Sequence, residues 1–297
     1  VNPFVALSYL WTFGDGTTST QTSPTKTYSA VGTYPVKVRV TSVHGCADST
    51  QANVYVYAKP NPAFTIDDTL QCFGPNAFTF TNGSTISTGS ISYFWRFDLN
   101  STFDTSSQIN PTKTYTGDGI FTIRLTATSD NNCKDSIEKQ VEVKPDIINN
   151  AISASQAICE GQTPDTLRQS GSAVSGGSST FTYVWQQSLD SISWSSISGA
   201  TSVRYAPPAL TDTTWYRRIV FSGPCGDTST PIRIAVTPSI VNNTVSSPQV
   251  ICYAQTPAQL IGAAPNGGNS NFSYVWQQSN DSITWVGASN SNTTINY

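Results

Sequence analysis

The feature that most constrains the fold is an internal repeat, because self-similarity along a chain marks a repeated structural unit. A Trp-x-Phe sequence that begins at Trp11 returns at Trp95. The pentapeptide Pro-Thr-Lys-Thr-Tyr, which ends at Tyr28, returns unchanged and ends at Tyr115. Both copies continue into a run of alternating apolar and polar residues. The first half of the chain therefore contains two copies of one unit.

A different repeat fills the second half of the chain. The sequence Ile-Cys-x-x-Gln-Thr-Pro occurs around Cys159 and again around Cys252. The sequence Tyr-Val-Trp-Gln-Gln-Ser occurs around Trp185 and again around Trp276. With the first pair of units, these two give the order A-A-B-B.

Proline-bearing joints lie between the units. Proline fixes its own φ angle and restricts the preceding residue to extended conformations, so we expect short, stiff links. The predicted domains are residues 1–57, 58–145, 146–238 and 239–297. The first is expected to be incomplete at its N-terminal end and the last at its C-terminal end.

The alternating runs predict β-strands with one face in a core and the other in water. Examples are the runs from Val36 to Val40 and from Phe121 to Leu125. We find no convincing amphipathic helix. The predicted fold is all-β, a tandem array of immunoglobulin-like β-sandwich domains that forms an extended rod.

Each unit has one central tryptophan within an aromatic-rich strand. Sandwich domains commonly bury such a residue against the facing sheet, so we interpret these four as core residues. A platform for stacking sugars is the alternative. The residues are Trp11, Trp95, Trp185 and Trp276.

The six cysteines follow the repeats and contain no Cys-x-x-Cys pair, which argues for disulfides over metal or redox chemistry. One cysteine opens a unit and another lies near its last hairpin. We predict the disulfides Cys72–Cys133 and Cys159–Cys225. Cys46 and Cys252 are expected to lack partners because their units are cut. Such bonds persist in oxidising compartments, which predicts an extracellular protein.

The composition excludes several function classes. Charged residues make up 11% of the chain and the net charge is −3, with no basic stripe that could bind nucleic acid. No apolar run is long enough for membrane insertion. The only histidine is His44, and only three glutamates occur. No nucleophilic triad, carboxylate pair, metal spacing or cofactor motif is present, so we predict no enzyme activity, no metal and no cofactor.

The first unit resembles the PKD (polycystic kidney disease) domain family. The resemblance lies in Trp-Thr-Phe-Gly-Asp-Gly from Trp11, in Pro-Thr-Lys-Thr-Tyr, and in Gly-Thr-Tyr-Pro-Val-Lys-Val from Gly32. The second unit has lost the turn glycines and resembles a divergent member. Gly14 and Gly16 permit positive φ, and Asp15 can bond the amides of the turn. A Ca²⁺ ligand is the alternative role for Asp15.

The B units look like the Ig-like repeats of giant surface proteins of Bacteroidota. Tandem PKD-like and Ig-like repeats resemble gliding-motility adhesins exported by the type IX secretion system. The resemblance implies a stalk at the cell surface that transmits force and displays a distal binding region. Its implied partners are other domains of the same long chain, surface glycans or a substratum, and the secretion and motility machinery.

Nine of the fifteen aspartates are followed directly by Ser or Thr, although Ser and Thr, 40 each, make up only 80 of 297 residues. These pairs look like an Asp-Ser/Thr-apolar acceptor motif for O-glycosylation in Bacteroidota. The other interpretation is that Asp-Ser and Asp-Thr favour turns and that the repeats multiply them. The candidate acceptors are Ser49, Thr69, Ser136, Thr166, Ser191, Thr213 and Ser282.

Two rival functions remain open at this point. A carbohydrate-binding module would use exposed aromatic residues such as Trp194, Trp215 and Trp285. An accessory region of a secreted hydrolase would fit because PKD domains also flank such enzymes.

Overall fold

The computed structural model describes residues 7–288 and 294–297. The chain divides into two compact units, Val1–Val143 and Lys144–Tyr297. Every regular element among the described residues is a β-strand, which confirms the all-β prediction. Those residues contain no helix that could cross a membrane.

The first domain forms one antiparallel sheet over its described residues. Strand β3 alternates because Val36, Val38 and Val40 face one side while Lys37 and Arg39 face water. The strand order is β2-β1-β3-β4. The strands are β1 (Leu7–Thr12), β2 (Thr18–Ser19), β3 (Gly32–Ser42) and β4 (Ala47–Val56).

The second domain is a two-sheet sandwich. One sheet has the order β10-β7-β5 and the other the order β6-β12-β11-β8-β9. Aromatic residues of the small sheet pack on the large sheet around Trp95, which is fully buried. The strands are β5 (Phe64–Ile66), β6 (Leu70–Cys72), β7 (Phe78–Asn82), β8 (Ile91–Arg96), β9 (Thr105–Ser106), β10 (Thr112–Lys113), β11 (Gly119–Ser129) and β12 (Lys134–Lys144).

The third domain has one six-stranded sheet in the order β13-β18-β16-β14-β15, with β17 also paired to β16. A facing layer is built from the isolated bridges Ile148–Ser175, Ile152–Gln169 and Leu167–Tyr205. Its core surrounds Trp185 and Tyr216. The strands are β13 (Gln156–Cys159), β14 (Thr182–Ser188), β15 (Ser195–Ser196), β16 (Thr214–Ser222), β17 (Cys225–Thr228) and β18 (Ile232–Thr237).

The fourth domain repeats part of the third. Its bridges Val241–Asn266 and Val245–Gly262 correspond to Ile148–Ser175 and Ile152–Gln169, and the backbone hydrogen bonds between Leu260 and Tyr297 correspond to those between Leu167 and Tyr205. The hairpin of β19 (Gln277–Gln278) and β20 (Val286–Gly287) corresponds to that of β14 and β15.

Candidate functional site

The four tryptophans share one hydrogen bond. Each indole N–H donates to a backbone carbonyl 10 to 18 residues further along the chain, at 2.9 to 3.2 Å, and the acceptors are Gln21, Gln108, Ser202 and Thr294. Trp95 and Trp185 are fully buried, whereas Trp11 and Trp276 are half-buried. All four residues therefore hold a loop to the sheet, and in the second and third domains the indole also fills the core.

The PKD-like turn of the first domain is closed by an ion pair. Lys26 Nζ lies 2.6 Å from Asp15 Oδ2 and 5.6 Å from the ring centres of Phe13 and Tyr28. Tyr28 Oη donates to the carbonyl of Phe13 at 2.9 Å. The hydrogen bond from Lys26, with a second from Thr17, lowers the pKa of Asp15 to about 2. The carboxylate of Asp15 thus has partners within the protein.

Glycine is required in this turn. Gly14 and Gly16 have φ angles of 77° and 87°, as the sequence predicted. A Cβ atom on Gly14 would also lie 2.8 Å from Pro35 Cδ. Any other residue at Gly14 would therefore be strained and crowded.

The second domain builds the same arrangement from a different residue. Lys113 Nζ lies 2.7 Å from Asp104 Oδ1 and 5.4 Å from the ring centre of Tyr115. Tyr115 Oη donates to the carbonyl of Phe97 at 2.7 Å. Asp104 belongs to the loop between Phe97 and Lys113, which is three residues longer than the loop between Phe13 and Lys26. This loop supplies the carboxylate that Asp15 supplies in the first domain.

The first and last strands of the third domain pair in parallel. Residues Gln156–Cys159 of β13 lie beside Ile234–Thr237 of β18. Thr237 Oγ1 also donates to the carbonyl of Ile158 at 3.0 Å. When two strands at opposite ends of a domain run parallel, pulling the termini apart shears all their hydrogen bonds together. This geometry suits resistance to force.

The Asp-Ser turns of the B units have one geometry. The Asp190 carboxylate accepts from the amides of Ile192 and Ser193 at 2.8 and 2.7 Å, and Asp281 accepts from Ile283 and Thr284 in the same way. These backbone hydrogen bonds hold the pKa of each carboxyl well below its usual range. Turn formation therefore explains the Asp-Ser pairs at these two positions.

The candidate acceptors for glycosylation differ in accessibility. Thr166 and Thr213 are half-buried, and Thr213 Oγ1 accepts from the amide of Val236 at 3.0 Å. The other five are exposed: Ser49, Thr69, Ser136, Ser191 and Ser282. Ser191 and Ser282 have positive φ angles of 62° and 60° at the tips of their turns.

Neither predicted disulfide forms. Cys133 and Cys159 are free thiols, as are Cys46 and Cys252, whereas Cys72 and Cys225 each take part in a disulfide bond. The predicted pairs Cys72–Cys133 and Cys159–Cys225 are therefore wrong.

The reason is the length of the strands between the predicted partners. In the second domain, the amide of Glu142 bonds the carbonyl of Thr69, close to Cys72, while Cys133 precedes β12 at its other end. At about 3.4 Å per residue, this places Cys72 on the order of 20 Å or more from Cys133. A disulfide needs Cα atoms about 4.4–6.8 Å apart.

The same separation occurs in the third domain. Cys159 lies opposite Thr237 of β18, and Cys225 lies opposite Ser222 at the far end of β16. The strand β16 runs from Thr214 to Ser222, which at about 3.4 Å per residue is about 27 Å. Opening and closing cysteines therefore lie at opposite ends of the second and third domains.

Of the three tryptophans that the sequence suggested as exposed, Trp194 and Trp215 are half-buried and only Trp285 is exposed. Trp194 lies 4.2 Å from the guanidinium of Arg217, and Trp215 lies 5.6 Å from that of Arg233. Each of these rings is thus already in contact with a cation. Trp285 is 55% exposed.

No group of three or more metal-ligating side chains occurs within residues 7–288 and 294–297. Asp15 has Lys26 as its closest charged partner, which is a cation and not a second carboxylate. The arrangement around Asp15 is that of a turn cap.

Sequence reasoning missed one conspicuous residue, Arg218, which is fully buried in the third domain. The signal was present in β16, where every second residue from Thr214 faces the core and Arg218 falls between Tyr216 and Val220. The missed Lys113–Asp104 pair had a weaker signal, because the two residues are brought together only by the folded loop.

Comparison with known proteins finds different families in the first and second halves of the chain. Residues 3–56 and 57–145 match the family described as PKD domain, and residues 148–238 match a domain of unknown function, DUF8696. Collagenase ColA of Bacillus cereus is 40% identical over 62 residues. The pre-pro-metalloprotease PrtV of Vibrio cholerae is 44% identical over 50 residues.

These curated relatives are similar over a small part of their length. The match covers 21% of this chain and 6% of the collagenase, and 17% of this chain and 5% of PrtV. Among solved structures, the PKD1 domain of Vibrio anguillarum Epp is 24% identical, with a TM-score of 0.25 over 29% of this chain and 93% of that domain. The titin fragment I67–I69 is 12% identical, with a TM-score of 0.38 over 80% of this chain and 89% of the fragment.

Proposed function

We propose that this chain is a force-transmitting structural segment of a secreted or cell-surface protein. The observation that carries the proposal is the parallel pairing of β13 with β18 in the third domain. Tension applied along the chain would load these hydrogen bonds in shear, where they must break together. The hydroxyl-rich, weakly charged composition suits an exposed array.

The finer role that we propose is the stalk of a surface adhesin of the gliding-motility type, exported by type IX secretion. A stalk requires serial folded domains that hold a binding region away from the cell. The repeated turn devices at Lys26 and Lys113 support this role, because each stabilises its own domain independently of the next.

Force spectroscopy on the full chain tests the structural role. The amide of Glu160 donates to the carbonyl of Thr237. In a parallel pair, every second residue of a strand donates its amide to the neighbouring strand, so the amide of Ile158 also donates to β18. Ile158→Pro removes that donor, whereas the matched control Ile158→Val keeps it. We expect Ile158→Pro to lower the unfolding force of the third domain well below that of Ile158→Val. Equal unfolding forces for the two variants would contradict the proposal.

A second candidate is an accessory region of a secreted hydrolase. It is favoured by the 40–44% identity between stretches of 50 to 62 residues of this chain and segments of a collagenase and a metalloprotease. Sedimentation of the full chain with insoluble collagen tests this candidate directly. Binding that is lost on substitution of exposed residues of the first domain, such as Tyr55→Ala and Tyr57→Ala, would favour it over the stalk.

A further inference from the structure

Arg218 carries a positive charge into the core of the third domain. Its side chain is fully buried on the inner face of β16. Its guanidinium lies 5.3 Å from the ring centre of Tyr183 and 5.7 Å from that of Trp185. A buried charge is costly unless every donor is matched, so the groups around it are held to a narrow geometry.

The acceptors of this guanidinium are all neutral. Nε and Nη2 donate to Asn150 Oδ1 at 3.0 and 2.8 Å, and Nη1 donates to the carbonyl of Val203 at 3.0 Å. Nη2 also donates to Gln169 Oε1. With no carboxylate among these acceptors, the charge is balanced by oriented dipoles and aromatic faces.

Asn150 joins the beginning of the domain to its central strand. While its Oδ1 accepts from Arg218, its Nδ2 donates to the backbone carbonyls of Arg218 and Asp227 at 3.2 and 3.1 Å. Asn150 belongs to residues 148–152, here called the leading segment, which is bridged at Ile148 to Ser175 and at Ile152 to Gln169. One amide side chain therefore ties the leading segment to both β16 and β17.

Gln169 adds a second tie. Its Nε2 donates to the carbonyl of Asn149 at 2.5 Å and to that of Ser172 at 2.8 Å, while its Oε1 accepts from Arg218. The leading segment is thus held by side chains from two directions. Without these side-chain contacts, the backbone bridges at Ile148 and Ile152 would be left to hold the leading segment.

The fourth domain retains only part of this arrangement. The bridge Val245–Gly262 corresponds to Ile152–Gln169, so Gly262 stands where the third domain has Gln169. A Cβ atom on Gly262 would lie 2.4 Å from the carbonyl oxygen of Ile295, which leaves no room for a glutamine. Asn243 stands where the third domain has Asn150. The Gln169 contact is therefore particular to the third domain.

We propose that the network of Arg218, Asn150 and Gln169 is a mechanical latch that keeps the leading segment on β16 when the chain is under tension. The proposal rests on the proposed force-transmitting function. The leading segment directly follows the joint through which tension reaches the domain from its N-terminal side. Its detachment would therefore precede shearing of β13 from β18.

The test uses two variants and one matched control in the full chain. Arg218→Met replaces the buried ion with an apolar side chain of similar length and leaves the acceptors of Asn150, Gln169 and Val203 without their donor, which should lower stability moderately. Asn150→Ala instead leaves the guanidinium buried without its main acceptor, which should lower the melting temperature sharply. Arg217→Met is the control, because Arg217 lies on the opposite face of β16 and contacts Trp194 and Gln186.

At constant pulling force, we expect the unfolding rate of the third domain to rise about tenfold or more in Arg218→Met, since several hydrogen bonds of about 1 kcal/mol each are lost. The melting temperature of Arg218→Met should fall by less than that of Asn150→Ala, because no unpaired charge is left in the core. Unchanged rates in Arg218→Met, or an equal rise in Arg217→Met, would overturn the latch.

Amide hydrogen exchange separates the latch from the proposed function. A latch predicts faster exchange of residues 148–152 in Arg218→Met than in Arg217→Met, without any applied force. If Ile158→Pro does not lower the unfolding force of the third domain, the force-transmitting function is wrong. The exchange rates of residues 148–152 still show whether the network holds the leading segment. If Ile158→Pro weakens the domain and exchange in Arg218→Met is unchanged, the latch alone is wrong.

Discussion

The two PKD-like domains carry the same motifs but bury them to different extents. Trp95 is fully buried in the second domain, whereas the corresponding Trp11 is half-buried in the first. Strand β11 buries Ile123, Leu125 and Ala127 completely, while the equivalent valines of β3 remain half-buried. The difference lies in the covering layer and not in the motif.

In the second domain, a three-stranded sheet brings Phe64, Phe78 and Phe80 onto Trp95 and its neighbours. The described residues of the first domain, 7–57, form a single sheet. Motif residues therefore specify a turn and one sheet, and the second sheet provides the burial. The comparison therefore predicts that equivalent substitutions lower the free energy of unfolding more in the second domain than in the first.

The largest expected difference is at the tryptophans. Trp95→Ala should cost the second domain about 3–5 kcal/mol, because it leaves a cavity in a closed core. Trp11→Ala should cost the first domain about half of that or less, since its ring is already partly in water. Denaturant unfolding of the full chain, followed domain by domain by hydrogen exchange, measures both. Equal losses would show that burial does not distinguish the two domains.

A smaller difference is expected at the motif tyrosines. Tyr115→Phe removes a buried hydrogen bond and leaves the carbonyl of Phe97 without its partner, which should cost about 1–2 kcal/mol. Tyr28→Phe removes the equivalent bond where water can replace it, so its cost should be lower. The same unfolding measurement applies, and a larger loss for Tyr28→Phe would contradict the comparison.

Acid should reveal the ion pair of the first domain. The pKa of Asp15 is about 2 in the folded state against an ordinary value of 3.8. A lowered folded-state pKa contributes stability above the ordinary value, and that stability is lost as pH falls from about 4 towards 2. The first domain should therefore lose stability over this range, and Asp15→Asn should flatten that part of the profile. An unchanged profile in Asp15→Asn would assign the acid sensitivity to other groups.

The smallest expected difference is in the reactivity of the cysteine thiols, which reports on covalent structure and not on stability. Cys46 and Cys133 lie in equivalent hairpins and are free thiols, so both should react with iodoacetamide without a reductant. Half-buried Cys133 should react more slowly than exposed Cys46. Cys72 should react only after reduction. Peptide mass spectrometry reads out all three, and protection of Cys133 before reduction would restore the intradomain pairing.

The strands and the glycine turn were predictable because their signals are local. Alternation in β3 and β11 needs only the sequence of each strand, and the positive φ of Gly14 and Gly16 follows from their residue type. The disulfides were not predictable, because the opening and closing cysteines of one unit can lie at opposite ends of its sandwich. Spacing along a chain does not report distance across a sheet.

The buried charge of Arg218 had one local signal, its core-facing place in the alternation of β16. An arginine in an alternating strand normally marks the water face, and only the positions of Asn150 and Gln169 in the folded domain make its burial tolerable. Likewise, Asp104 takes over the part of Asp15 through a loop insertion that no motif describes. Compensation of this kind depends on tertiary structure.

The parallel pairing of β13 and β18 has a consequence for the order in which the chain is made. Ile158 and Thr237, which are joined across this pair, are 79 residues apart in the sequence. A growing or translocating chain presents its N-terminal part first, so β13 cannot pair with β18 until almost the whole domain has emerged. Until then its edge is open to neighbouring repeats of similar sequence. The third domain therefore becomes complete only with its last strand, and its assembly is timed by the delivery of that strand.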